Sequence, residues 1–130
     1  MSILLDSDVV VSLLRKTRPV RRVLSGLLSI EERLYYTPIT RAEIFAGMRA
    51  AEEQRTRAAF ELFSCLPIGQ AIGEIAGLYL ALYRRSHGLE IADALIAASA
   101  RHYEMKLWTY NRKHYPMPGI ELFPPPEQMN

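Results

Sequence analysis

The sequence predicts an α/β domain built on a largely parallel sheet. Two observations carry this expectation. Short apolar runs of strand length alternate with longer segments whose apolar residues recur at helical spacing. The chain also has 130 residues, 49% hydrophobic and 23% charged, which is the size and balance of one compact domain.

Ile3 to Leu5 reads as a buried strand ending at Asp6, and Ser7 or Asp8 is then placed to cap a helix running to about Arg15. Pro19 suits the first position of a second helix, in which Val20, Val23, Leu24, Leu27 and Leu28 share one face. Leu34 to Thr37 forms a second strand. The run Thr40-Arg41-Ala42-Glu43 has the spacing of a capping box opening the next helix, which continues with a break near Ala50 to about Ser64. From Gln70 to Ser86, residues Ile72, Ile75, Ala76, Tyr79, Leu80 and Tyr83 make a helical stripe that His87-Gly88 closes. A helix from Ala92 to about Arg101, a strand at Lys106 to Trp108 and a last strand at Ile120 to Leu122 complete the domain. Pro124-Pro125-Pro126 can continue neither a sheet nor a helix, so residues 124–130 read as a tail.

Composition narrows the function. The longest apolar stretch, Ile72 to Tyr83, is interrupted and falls short of the roughly 20 residues that cross a bilayer, so no membrane span is expected. The start of the chain lacks the features of an export signal, which predicts a cytoplasmic protein. Cys65 is the one cysteine, which excludes an internal disulfide and a cysteine-rich zinc site; it is expected in the core. The net charge is only +2, but Arg15, Lys16, Arg18, Arg21 and Arg22 form a local basic cluster that could meet phosphates or simply be a solvated face.

Three acidic residues stand out. Asp6 follows an apolar strand, and open α/β sheets bind ligands beyond the carboxyl ends of their strands. An aspartate at a strand-to-helix turn also has an ordinary structural explanation. Glu43 is explained by the capping box, and Asp93, in the first turn of a helix, by the helix dipole. Asp93 is nevertheless surrounded in sequence by Ile91, Ala92, Ala94 and Leu95, and a buried ionised carboxylate is costly without a compensating partner.

Taken in order, Leu4-Leu5-Asp6-Ser7-Asp8, Thr40-Arg41-Ala42-Glu43, Ile91-Ala92-Asp93-Ala94-Leu95-Ile96-Ala97-Ala98 and Trp108-Thr109-Tyr110-Asn111-Arg112-Lys113-His114-Tyr115 resemble a PIN-domain ribonuclease toxin of the VapC family. The resemblance implies a PIN-like three-layer domain over residues 1–123, with a central, mainly parallel sheet flanked by helices. It also implies that Asp6, Glu43 and Asp93 converge at one end of that sheet. At about 4 Å and an effective dielectric near 20, two carboxylates repel by about 4 kcal/mol, so converging acids call for a cation or raised pKa values. An all-oxygen set suits Mg²⁺ or Mn²⁺. Asp6 and Asp93 are then the principal ligands, with Glu43 a ligand or an orienter of the attacking water in RNA hydrolysis.

Two departures from the family pattern bear on the site. Where such nucleases often carry a fourth acid, this chain has Asn111 and then His114; Asn111 could hold an outer water or orient Asp6, and His114 could shuttle a proton or contact phosphate. Asp8 stands where these toxins frequently have Asn and adds a carboxylate. The family further implies an RNA substrate, a cognate VapB-type antitoxin and homodimerisation. Two rival readings remain at this point. One is a non-catalytic PIN-like module that binds RNA or antitoxin. The other is a phosphatase of the haloacid-dehalogenase type, which Asp6-Ser7-Asp8 also resembles and which would make Asp6 a covalent nucleophile.

Overall fold

A computed structural model describes residues 2–15, 22, 25, 26 and 33–123. Among these residues five short strands, β1 (Ser2–Leu5), β2 (Arg33–Tyr36), β3 (Ser64–Cys65), β4 (Lys106–Trp108) and β5 (Leu122–Phe123), form one sheet in the order β3-β2-β1-β4-β5. Every pairing is parallel. Among the described residues five helices flank it: α1 (Ser7–Leu14), α2 (Pro38–Gly47), α3 (Glu53–Phe60), α4 (Gln70–His87) and α5 (Ile91–His102). Most of the predicted helix after Pro19 and all of the proline-rich tail lie outside the described residues.

Side-chain alternation along β1 assigns the layers. Ile3 and Leu5 join Trp108, Leu34 and Tyr36 against Val9 and Val10 of α1, Ile44 of α2 and Phe60 of α3. Leu4 points the other way and joins Leu107 against α4 and α5, through Ile72, Ala76, Tyr79, Ala94, Ile96 and Ala97. The sheet is buried on both faces, which is why β1 and β4 read as continuous apolar runs rather than alternating ones. The stripe expected along α4 is the buried one, and Gly88 ends that helix at φ 62°, the left-handed conformation that glycine adopts without steric cost.

The topology positions the site. The chain runs outward from β1 to β2 and β3, then returns to the far side of β1 for β4 and β5. The strand order therefore reverses between β1 and β4, and the crevice beyond the carboxyl ends of two such strands is where open parallel sheets bind ligands. Asp6 leaves β1 and Thr109 leaves β4 at that point, with the Asp6 amide donating to the Trp108 carbonyl at 2.9 Å.

Four local expectations are corrected. The N-cap of α1 is Asp6, not Ser7 or Asp8, because the Asp6 side chain itself accepts the Ser7 amide. The Thr40–Glu43 capping box does not form: Pro38 starts α2 one turn earlier, Thr37 is its N-cap, and Thr40 is already inside the helix and buried. The segment ending near Ser64 is not helical throughout; α3 stops at Phe60 and Ser64–Cys65 pair with β2 as an edge strand. Cys65 is exposed rather than in the core, because it lies on a two-residue strand at the edge of the sheet.

Candidate active site

Asp6 is the centre of a hydrogen-bonded group drawn from four parts of the chain. Its Oδ1 accepts the Ser7 amide at 2.7 Å. Its Oδ2 accepts two hydroxyls, Thr109 Oγ1 at 2.8 Å and Tyr115 at 2.9 Å. The residue is only 5% exposed. Burial raises its pKa above the usual carboxylate value, against the three donors that favour the anion, and the charge of Asp93 adds to the rise. The cost of a buried carboxylate, expected at Asp93, thus falls mainly on Asp6. Asp93 keeps partial access to water, with its side chain 26% exposed, and Ile91 beside it is exposed.

Tyr115 couples the two aspartates. Its buried hydroxyl lies 2.9 Å from Asp6 Oδ2 and 3.3 Å from Asp93 Oδ1, so these oxygens are no further apart than the two contacts laid end to end. One proton serves both. Burial, then the charges of Asp6 and Asp93, push the phenol far above its ordinary value, which keeps it a donor. The other oxygen of Asp93 lies 3.1 Å from His114 Nδ1. Asp93 is therefore held on both sides by consecutive residues at the end of the 3-10 turn Arg112–His114.

Asp8 accepts the Tyr110 amide at 2.9 Å on Oδ2, with Thr109 Oγ1 at 3.4 Å, while its Oδ1 is buried without a hydrogen-bond partner. Burial and then the Asp6 charge push its pKa up to about 6. Glu43 joins from α2: the Ser7 hydroxyl donates to its Oε1 at 2.6 Å and lies 3.1 Å from Thr40 Oγ1. The same Ser7 binds Asp6 through its amide, which links the two acids without direct contact. Arg41 fixes this part of α2 by donating to the Tyr36 hydroxyl at 2.9 Å and lying over the rings of Phe45 and Phe60 at 5.0 and 5.1 Å.

Asp6, Glu43, Asp93, Asp8 and His114 are therefore brought into one network. Asn111 reaches Asp6 through Thr109: its backbone N–H donates to Thr109 Oγ1 at 3.0 Å, and Thr109, with Ser7 and Tyr115, holds the carboxylate. Tyr115 and Ser7 were missed as functional residues in the sequence. No local pattern marks a hydroxyl that meets its partner 109 positions away.

The chemistry of the donor set fits a hard divalent cation. The acids offer oxygen ligands, one of them an unpartnered buried carboxylate oxygen, and Asp6 and Asp93 share a single neutral hydroxyl donor, which leaves their charge uncompensated. Among the described residues, no three His, Cys, Asp or Glu side chains form a ready-made cage. Mg²⁺ does not need one, since it is commonly held by one or two carboxylates and keeps several waters.

The PIN domain family profile matches residues 3–119. Ribonuclease VapC10 of Mycobacterium tuberculosis is 34% identical over 125 residues, covering 95% of this chain and 92% of that protein. The chain is a PIN-domain protein of the VapC family. Ribonuclease VapC19 of the same organism is 31% identical over 115 residues, covering 88% of this chain and 92% of its own length. A toxin–antitoxin complex from Klebsiella pneumoniae aligns with a TM-score of 0.74 and 29% identity, over 91% of this chain and 94% of that one. The family match runs from residue 3 to 119, so the Asp6, Glu43 and Asp93 blocks all lie within it. The phosphatase reading falls with this assignment.

Proposed function

We propose that this VapC-family PIN domain is the toxin of a type II toxin–antitoxin pair and an endoribonuclease that hydrolyses RNA phosphodiester bonds with a divalent metal, Mg²⁺ or Mn²⁺. The observation that carries the reading is the shared Tyr115 hydroxyl, which binds Asp6 and Asp93 together at the strand-order reversal. The ribonuclease names of two relatives above 30% identity supply the substrate class. Asp6 and Asp93 are the residues that would hold the metal, with Glu43 either a third ligand or, through Ser7, an orienter of the attacking water. When bound, the cation supplies Lewis acidity toward the phosphoryl group and acidifies water. The protein's own part is to hold the carboxylates: Thr109 and Tyr115 fix Asp6, and His114 and Tyr115 fix Asp93.

The partner is a VapB-type antitoxin. A cavity of about 510 Å³ opens beside Glu43, with an apolar wall of Val11, Leu14, Ile44 and Met48 and the charged Arg15 and Arg55 at its margin, and it offers a partner segment a place next to the acids. Homodimerisation is part of the same proposal. The rival, a binding module without turnover, draws on His114 beside Asp93 and on the lack of an acid between Thr109 and Tyr115.

Cleavage of total cellular RNA by antitoxin-free protein separates the two. Discrete fragments are expected with Mg²⁺ or Mn²⁺ and should be absent in EDTA and with Asp93→Asn. Intact RNA with both metals, from protein shown to be folded, would leave the binding module.

The raised acids also predict a pH dependence. Asp8 titrates near 6 in the folded chain against an ordinary 3.8, and Asp6 is shifted in the same direction. Between those values the native state binds more protons than the unfolded one, so stability falls as pH rises from about 4 through about 6 and levels off above. Calorimetry in EDTA should give a higher Tm at pH 5 than at pH 7.5. Added Mg²⁺ should raise the Tm more at pH 7.5, where protons no longer compete for the carboxylates. Equal melting at both pH values without metal would contradict the burial assigned to these acids.

A further inference from the structure

Of the large apolar side chains exposed among the described residues, Tyr110 alone is aromatic, at 42% exposure. It stands at the mouth of the carboxylate group. Its neighbour Thr109 is fully buried on Asp6, its own amide is held by Asp8 Oδ2, and the next amide is held by Thr109 Oγ1. The backbone on both sides of the ring is thus pinned while the ring faces solvent. Downstream, Lys113 and His114 are exposed in the 3-10 turn that returns the chain to Asp93. A pinned, exposed ring followed by a lysine is the composition of a single-strand nucleic-acid contact, in which aromatic faces stack on bases and ammonium groups follow the backbone.

We propose that Tyr110 is a base-stacking residue: its ring supports an unpaired base next to the phosphate cleaved at Asp6 and Asp93, with Lys113 on the adjoining phosphate. This rests on the reading of the chain as a ribonuclease. Asp8 and Thr109 hold the loop through backbone amides that any residue at 110 and 111 would supply, so these bonds do not depend on the Tyr110 side chain. Tyr110→Ala therefore leaves the carboxylate group and the fold in place.

The test uses short single-stranded RNAs carrying 2-aminopurine at successive positions, with cleavage followed on a gel, binding by anisotropy and stacking by fluorescence quenching. Wild type and Tyr110→Phe should quench the probe at one position, and Tyr110→Ala should not. Stacking on one base corresponds to roughly a 5- to 150-fold effect, so Kd and KM should rise by that factor in Tyr110→Ala with kcat held within about twofold. An abasic nucleotide at the quenched position should slow wild type and cause no further loss in Tyr110→Ala. Lys113→Ala should weaken binding and flatten its salt dependence without changing the quench. Wild-type Kd, KM and quench in Tyr110→Ala, from protein that cleaves normally, overturn the stacking role and leave the ring to a protein partner. RNA that wild type binds and quenches but does not cleave, with the quench lost in Tyr110→Ala, overturns the nuclease reading while the stacking role stands. No RNA binding by wild type overturns both.

Discussion

An Asp6→Asn variant will lose RNA cleavage by at least about 100-fold, the scale of removing one preorganised electrostatic contact, and yet melt no lower than the unmodified protein. The two halves of this result have one cause. Asp6 is the most buried of the site's acids, and burial together with the Asp93 charge disfavours its ionised form. A neutral amide of the same shape removes both penalties. It can also keep the hydrogen bonds: its oxygen accepts the Ser7 amide, and its NH₂ donates to the Thr109 and Tyr115 hydroxyls. Those hydroxyls are then free to turn toward Asp8 Oδ2 at 3.4 Å and Asp93 Oδ1 at 3.3 Å. What disappears is the negative charge that would hold a cation. Cleavage of total RNA and a melting curve in EDTA check the two halves separately. Retained cleavage would remove Asp6 from the metal site, and a Tm lower by more than a few degrees would mean that the charge itself is needed by the fold.

Tyr115→Phe will destabilise the metal-free protein at neutral pH by about 1 to 3 kcal/mol, the cost of leaving buried acceptors short of a donor. The ring stays in its packed place, but Asp93 Oδ1 loses the hydroxyl it shares and Asp6 Oδ2 keeps only Thr109. The two carboxylates then face each other without the proton between them. Mg²⁺ should restore most of the lost Tm, because a cation between the acids replaces what the hydroxyl supplied. Thermal melting with EDTA and with Mg²⁺, on wild type and variant together, reads this directly. An unchanged Tm in EDTA would show that the shared proton contributes nothing. A loss that Mg²⁺ leaves in full would assign Tyr115 to packing alone.

Legibility in the sequence follows the range of the interactions. The α4 stripe and the strand at Lys106 to Trp108 are set by hydrophobic periodicity over a few neighbouring residues, and both appear where expected. The edge strand β3 has two exposed residues and no apolar signal, so only its pairing with Tyr35 and Tyr36 reveals it. The capping box around Thr40 failed because Pro38 competes for the helix start: its fixed φ and missing amide proton suit the first turn.

The sequence by itself determined the α/β class, the carboxylate at the end of β1, the acidic first turn of α5 and the absence of an acid between Thr109 and Tyr115. The tertiary structure alone decided which side chains share protons. Asp6 meets Thr109 and Tyr115 across more than a hundred residues, and Ser7 reaches Glu43 across 36. It also decided that the burial cost falls on Asp6 more than on Asp93 and that Tyr110 stays partly exposed. The physical reason is that helix and strand periods depend on neighbours along the chain. Desolvation and the sharing of a proton between acids depend on what the fold brings together.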